Sequence, residues 1–423
     1  MMPITSGLSI TSNLPLQFSV NITRLLLFLK LKITPNRKLK LAITIVRIVV
    51  GVLFIFSGLV KANDPLGLSY KMKEFFEIWN SGLEYGSFFL KDILINLFQF
   101  LHDHSLSLSV FMIAFEILAG VALLLGWRMK VFSWLLLLLI LFFTFLTGYA
   151  FYSGKFTNCG CFGDCIPITP KTSFLKDIAL TLLIIFLFKY RTNIRPYFSR
   201  NTNFGIMTAV TVFSFGLQWY VLNYLPLIDC LPFKKGNNIP EKMKPPPGSV
   251  QDSFAIRFVY EKAGKQFEFS PVDLPSDLNT YTFKDRIDKL IRKGNADLPI
   301  KGFSLKTRSG NDSTDAVLAE PYCLLLFCEN FSTPIKDWDR DFEELTRGAV
   351  QKNIPAYIVT ASLNEAAIAL QKSPFSNLQV FECDFTAIRT AARTNPCLYL
   401  LKQGTVINKW SYKKISQAKN YLP

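Results

Sequence analysis

The sequence predicts a helical membrane bundle followed by an α/β domain outside the membrane. Hydrophobic residues make up 50% of the 423 residues, and the mean hydropathy is +0.27. Long, nearly uncharged stretches lie before residue 226, whereas short apolar segments alternate with amphipathic ones after residue 250. A helix needs about 20 apolar residues to cross the hydrocarbon core. The first pattern therefore predicts membrane spans, and the second predicts a separately folded domain.

Five transmembrane helices are predicted, at about 41–61, 109–126, 131–152, 174–188 and 204–225. The fourth is short and reaches spanning length only by including Lys176 and Asp177. Between the first two spans, apolar residues at helical spacing predict two helices that lie at the membrane surface or cap the bundle. Residues 1–40 do not resemble a signal peptide, and we expect a cytoplasmic or interfacial segment there.

The positive charges predict how the bundle is oriented. Residues 1–40 and the loops after the second and fourth spans contain lysine and arginine but no acid, whereas the other loops mix both signs. By the positive-inside rule the N-terminus is cytoplasmic and the C-terminal domain is periplasmic, if the membrane is a bacterial inner membrane. These loops account for most of the net charge of +16, so membrane lipid is the expected partner and nucleic acid is not.

Three segments follow the last span. Residues 226–249 are rich in proline and predict an extended linker. Residues 250–297 predict a β-hairpin and then a short helix in "YTFKDRIDKLIRKGN". Residues 298–423 alternate strands and helices and end in a hairpin with a Gln-Gly turn, which predicts a compact α/β domain.

The order of elements in residues 298–423 resembles a thioredoxin-like fold. "TNPCLYLLKQGTVINKW" is similar to the cis-proline loop and hairpin of that family, so Pro396 is the expected cis-proline. The resemblance implies a Cys-x-x-Cys motif at "LLLFCENFSTP", but Phe331 stands where the second cysteine is expected. Cys328 is then either a single reactive thiol or a buried apolar residue, and a disulfide between Cys328 and Cys397 is a further alternative.

The bundle resembles the DoxX family. "RIVVGVLFIFSGLVKANDPLGLSYKMKEFF" is similar to its opening signature, and "CGCFG" is similar to the MauE branch of that superfamily. The signature residues are Arg47, Gly58, Lys61, Asp64 and Pro65. The fusion to a thioredoxin-like domain resembles a DoxX-type protein widespread in Bacteroidota. The resemblance implies a DoxX-like four-helix bundle with a fifth span as a tether, and thiol redox or protein maturation at the membrane surface.

Three cysteines in "NCGCFGDC" are the main redox candidates. A disulfide between Cys159 and Cys161 would close a small, strained ring, and Cys165 could attack or resolve it. A stable structural disulfide with one spare thiol is the alternative. No metal is expected, because a site completed by a histidine would match no common zinc spacing. Cys230, just after the last span, could pair with this loop, with Cys383 or with nothing.

Charged residues within the spans predict a second site. Arg47 and Glu116 are expected to pair inside the bundle. Such a pair is either structural or part of a polar pocket for a quinone head group or a proton relay. Quinone is the one cofactor that this pattern suggests.

Two functions follow from these observations. The first is a membrane-bound thiol–disulfide redox protein or redox maturation helper, with periplasmic or membrane proteins docking on the thioredoxin-like domain. The second is a non-catalytic scaffold or accessory subunit of an envelope or secretion assembly, with a degenerate thioredoxin-like binding domain. The triple-cysteine loop favours the first, and the missing second cysteine of the thioredoxin-like motif favours the second.

Overall fold

A computed structural model describes residues 35–84, 89–156, 163, 165, 166, 168–250, 253–262, 264–275, 277–292, 294 and 298–423. The helices of its N-terminal half are α1 (Pro35–Ala62), α2 (Pro65–Glu84), α3 (Lys91–Asp103), α4 (Ser105–Leu125), α5 (Met129–Ser153), α6 (Pro170–Lys189) and α7 (Arg200–Tyr224). They include the two amphipathic helices expected between the first two spans.

Helices α1, α4, α5, α6 and α7 form the bundle, together with α2, which packs against α4. Helix α1 packs along α4, α5 packs along α6, and α7 lies against α4. Among the described helices, α1, α4, α5 and α7 are long and apolar enough to cross a membrane. Large apolar side chains on them stay exposed, as expected for a surface that faces lipid. Helix α6 carries Lys176 and Asp177 and is not among those four, so the span at 174–188 stays a prediction.

The proline-rich linker is not the extended spacer that its composition predicts. Phe233 and Ile239 are fully buried in the core of the C-terminal domain, and a short helix α8 (Ile239–Lys242) begins there. The Asn238 amide nitrogen donates to Gln403 O and to Thr405 Oγ1, at 3.1 and 3.0 Å. The linker is part of the C-terminal domain because its apolar residues find a core to fill.

Residues 253–292 form a three-stranded antiparallel sheet. Its strands are β1 (Ser253–Lys262), β2 (Lys265–Phe269) and β3 (Thr282–Arg292), in the order β2-β1-β3. The predicted hairpin is confirmed, but the predicted helix in "YTFKDRIDKLIRKGN" is wrong, because that segment is β3. The apolar residues Phe283, Ile287 and Ile291 are four apart, and an even spacing fits one face of a strand as well as one face of a helix. Pairing with β1 decides between the two.

The C-terminal domain has the thioredoxin-like topology. Its five strands are β4 (Cys323–Cys328), β5 (Ala356–Thr360), β6 (Gln379–Glu382), β7 (Cys397–Lys402) and β8 (Thr405–Ser411). They are ordered β6-β5-β4-β7-β8, with β7 and β8 antiparallel to their neighbours. The peptide bond before Pro396 is cis, as predicted. Apolar side chains fill both faces of the sheet. The helices of this domain are α9 (Thr314–Ala319), α10 (Asp339–Gln351), α11 (Leu363–Leu370) and α12 (Phe385–Ala391).

Candidate functional site

A disulfide joins the cysteine loop to the segment that follows the last helix of the bundle. Cys165, between α5 and α6, is bonded to Cys230, just after α7, with a Cα–Cα distance of 4.8 Å. Both residues are partly exposed. Cys165 is not a free thiol in this oxidised state, and the alternative that Cys230 pairs with the loop is confirmed. The role of Cys165 as a redox candidate stays a prediction. Cys159 and Cys161 lie outside the described residues, and their roles stay predictions.

The segment around Cys230 is held on two sides. Asn63, at the end of α1, donates to Ile228 O at 2.8 Å and accepts from Ile228 N at 3.0 Å. Asp229 forms an ion pair of 2.6 Å with Lys409 of the thioredoxin-like domain. The disulfide thus sits between the bundle and that domain. We call this end of the bundle its upper end.

An ionic junction fastens the thioredoxin-like domain to the upper end of the bundle. Its members are Asp64 and Tyr70 from the bundle and Glu329, Arg389 and Arg393 from the other side. Arg393 Nε donates to both carboxylate oxygens of Asp64, at 2.8 and 2.9 Å. Arg389 Nε and the Tyr70 hydroxyl donate to Glu329, at 3.0 and 3.1 Å. Burial and the neighbouring Glu329 raise the pKa of Tyr70 well above its ordinary value, so Tyr70 is a neutral donor.

The same junction touches the loop of the cis-proline. Asn395 accepts from the backbone N–H of Glu329 at 3.0 Å and donates to Asn330 O at 2.9 Å. Thr333 Oγ1 donates to Asn395 O. The carboxyl end of β4 and the loop before Pro396 therefore form one edge of the domain, which we call the cis-proline edge.

Cys328 and Cys397 do not form the disulfide that was one of the predicted alternatives. In the antiparallel pairing of β4 with β7, Phe327 lies opposite Cys397, so Cys328 points to the other face of the sheet. Both thiols are free and at most 1% exposed. Burial raises the pKa of Cys328 far above its usual range and that of Cys397 to about 11. The thiolate is the nucleophile, and a buried thiol with a raised pKa forms little thiolate. The geometry therefore favours the interpretation of Cys328 as a buried apolar residue.

We expect the buried thiols Cys323, Cys328, Cys383 and Cys397 to resist N-ethylmaleimide in the folded protein at pH 8. With a pKa of about 11, Cys397 holds about one thiolate per thousand molecules at that pH. Mass spectrometry of peptides labelled with and without denaturant measures this. Labelling of Cys328 in the native protein at the rate of an exposed thiol would return it to the list of redox candidates.

The predicted Arg47–Glu116 pair is wrong. Glu116 pairs with Lys61 at 2.7 Å, and both side chains are at most 5% exposed. Arg47 instead donates to Leu124 O at 3.2 Å and lies over the Tyr197 ring. Helices α1 and α4 run antiparallel, so Arg47 faces a residue eight positions beyond Glu116, about 12 Å along the helix. Arg47 and Glu116 therefore do not form one shared pocket, and the binding of a quinone stays a prediction.

The Lys61–Glu116 pair lines a small cavity inside the bundle. Its volume is about 70 Å³, and Ser57, Lys176 and Asp177 also line it. Asp177 pairs with Lys176 at 2.5 Å and accepts from the Thr147 hydroxyl at 3.0 Å. The cavity lies next to the end of α1 that carries Val60. Val60 in turn lies close to Gly163 of the cysteine loop. Charged groups within membrane segments are costly and are usually kept for a purpose.

Residues 92–190 match the family described as methylamine utilisation protein MauE. That stretch contains α3 to α6 and the whole cysteine loop. Residues 92–190 are a MauE-family domain. The expected likeness of the bundle to the MauE branch is thereby confirmed. Residues 254–293, which hold most of the three-stranded sheet, match a family described as a domain of unknown function.

Relatives cover parts of the chain. Protein TlpB of Flavobacterium psychrophilum is 36% identical over 81 residues, which are 18% of this chain and 22% of that protein. A conserved protein of unknown function from Bacteroides fragilis is 21% identical, with 29% of this chain and 93% of its own covered at a TM-score of 0.24. A thioredoxin-like protein from Bacteroides caccae is 17% identical, with 28% and 46% covered at a TM-score of 0.24. Its long apolar helices and its match to the MauE family show that the chain is a membrane protein.

Proposed function

We propose that the protein exchanges thiols and disulfides at the periplasmic face of the inner membrane, with Cys165–Cys230 as the reacting disulfide. One observation carries this proposal: the disulfide lies partly exposed in the MauE-type loop, between the bundle and the thioredoxin-like domain. The described cysteines of the thioredoxin-like domain are buried instead. The redox centre is thus assigned to the membrane domain. The basic loops and the disulfide both favour a periplasmic, oxidising side.

The chemistry is ordinary thiol–disulfide exchange. A thiolate of a partner protein attacks one sulfur of Cys165–Cys230 and forms a mixed disulfide, and the other sulfur leaves as a thiolate that takes up a proton. The second thiol of the partner then displaces the remaining cysteine. The partner dithiol is oxidised, Cys165 and Cys230 are reduced, and two electrons are transferred. A Cys159–Cys161 disulfide is the expected next acceptor in the loop and would itself be reduced to two thiols. A quinone of the respiratory chain is the expected final oxidant, which would be reduced to the quinol.

The test is the redox state of these cysteines in cells. Thiols are tagged with a mass label after acid quenching. We expect a mixture of reduced and oxidised Cys165–Cys230 that moves toward the reduced form when respiration is blocked. Cys230→Ser should add one labelled thiol at Cys165 and abolish this response. Cys383→Ser, which removes a buried free thiol of the thioredoxin-like domain, is the matched control and should leave the response unchanged.

A scaffold without redox activity is the second candidate. The observation that favours it is the cis-proline edge, which is covered by the bundle, together with the burial of Cys328. On this alternative, Cys165–Cys230 stays fully oxidised whether or not cells respire and resists mild reductant. That result would overturn the redox proposal.

A further inference from the structure

We infer that the cis-proline edge of the thioredoxin-like domain is an internal docking surface for the bundle's own segment Asp64–Tyr70, and that the Cys165–Cys230 disulfide keeps the two engaged. This deepens the proposed function, because it names what reduction of that disulfide would loosen. The occupant is already seated: Asp64 and Arg393 are separated by 329 residues in the sequence and joined through both carboxylate oxygens.

The docking surface is complementary in charge to its occupant. Two arginines of α12 and its following loop, Arg389 and Arg393, face the Tyr70 ring, with guanidinium carbons 4.5 and 5.6 Å from its centroid. Arg393 is 4% exposed and its partner Asp64 is 11% exposed, so the contact is largely desolvated. A desolvated arginine–carboxylate pair needs its partner, because either charge alone would be buried without compensation. The contact is therefore selective for an acidic residue at position 64.

Asp64 also caps a helix, and this second role allows the effect of a substitution on docking to be separated from its effect on folding. Its Oδ1 accepts from the backbone N–H of Gly67 at 3.0 Å, which makes it the N-cap of α2. Asparagine caps helices about as well as aspartate but carries no charge. Asp64→Asn should therefore keep α2 and remove the ionic attraction for Arg393.

Hydrogen bonds connect the segment that carries the disulfide to the residue before Asp64. Asn63 precedes Asp64 and holds Ile228, which is two residues before Cys230. Asp229 in turn reaches Lys409 on β8. The disulfide thus fixes the position, relative to the bundle, of the segment that connects α7 to the thioredoxin-like domain. When it is reduced, the chain after α7 and noncovalent contacts remain, among them the ionic junction and the contacts of Lys413 and Lys414 with the Tyr224 ring.

The test uses phenylglyoxal, which modifies accessible arginines, on the purified full-length protein in detergent. Arg393 is the reporter, and Arg347, which is 73% exposed, is the internal reference. We expect Asp64→Asn to increase the modification rate of Arg393 at least tenfold relative to Arg347. Glu343→Gln, which removes the exposed ion pair of Arg347 with Glu343, is the matched control. In that variant the modification rate of Arg393 is compared with that of the exposed Arg340 and should not rise. Continued resistance of Cys383 to alkylation shows that the domain is still folded.

Reduction provides the second arm. Treating the wild-type protein with a phosphine reductant should also expose Arg393, by a smaller factor than Asp64→Asn does. An Arg393 that stays protected in Asp64→Asn overturns the docking surface, and one that stays protected after complete reduction of Cys165–Cys230 overturns the role of the disulfide. The arm is independent of the proposed function, because it uses purified protein whether or not the disulfide is ever reduced in cells.

Discussion

Replacing Lys61 with methionine is expected to destabilise the bundle by about 3–5 kcal/mol, the usual cost of leaving one partner of a buried ion pair alone. The Lys61 ammonium donates to both carboxylate oxygens of Glu116, at 2.7 and 2.9 Å, and to Ser57 Oγ at 3.0 Å. Methionine has a similar length, so the loss is one of charge and hydrogen bonds. Glu116 would then lose the cation that it contacts directly. Thermal unfolding of the purified protein in detergent measures the effect.

Two control variants separate the ion pair from simple packing. Lys61→Met combined with Glu116→Leu should recover most of the lost stability, because an apolar pair of similar volume replaces a buried ion pair at little cost. Lys71→Met, which breaks a partly exposed pair with Glu74, should cost less than about 1 kcal/mol. If the double variant is as unstable as Lys61→Met alone, loss of the charge is not the cause.

Local patterns in the sequence were sufficient to predict most of the thioredoxin-like domain. "YCLLLFC" and "PAYIVTA" are uninterrupted apolar runs, and both became buried parallel strands. The Gln403–Gly404 turn sets the hairpin of β7 and β8, and both residues adopt the positive φ that such a turn needs. Strand β3 was missed because its apolar residues are spaced by four, which does not distinguish strand from helix.

The candidate site was only partly predictable, because it depends on contacts between distant segments. The Cys165–Cys230 pairing was one of several alternatives, since spacing alone cannot choose among eight cysteines. The Lys61–Glu116 pair was mistaken for Arg47–Glu116, since composition does not give the register of two antiparallel helices. The contact between Asp64 and Arg393 is not among the sequence-based predictions. Its one signal is the place of Asp64 in the DoxX-like signature.

The register of α1 against α4 depends on a close approach of the two helices. Gly120→Val is expected to lower the free energy of unfolding by about 3 kcal/mol, because it blocks this approach. A Cβ at position 120 would lie 2.8 Å from Gly51 O and 3.0 Å from Ile55 N. Both are backbone atoms, so α1 as a whole would have to move, and small residues at such crossings are what lets helices in membranes pack closely. The separation would also strain the Lys61–Glu116 pair, which lies about one turn away.

Gly216→Val on α7 is the matched control, because a Cβ there would meet nothing within 4 Å. It makes the same chemical change in a helix of the same bundle, so any effect of valine on helix propensity or detergent binding appears in both variants. We expect the free energy of unfolding of Gly216→Val to lie within about 0.5 kcal/mol of the wild-type value, the usual range for a surface substitution that breaks no specific contact. Equal loss of thermal stability in the two variants would mean that the α1–α4 crossing does not set the register of the ion pair. A loss confined to Gly120→Val would show that the Lys61–Glu116 pair depends on the close packing of Gly51 against Gly120. The sequences of α1 and α4 determine that packing directly, because only glycine allows the two backbones to approach this closely.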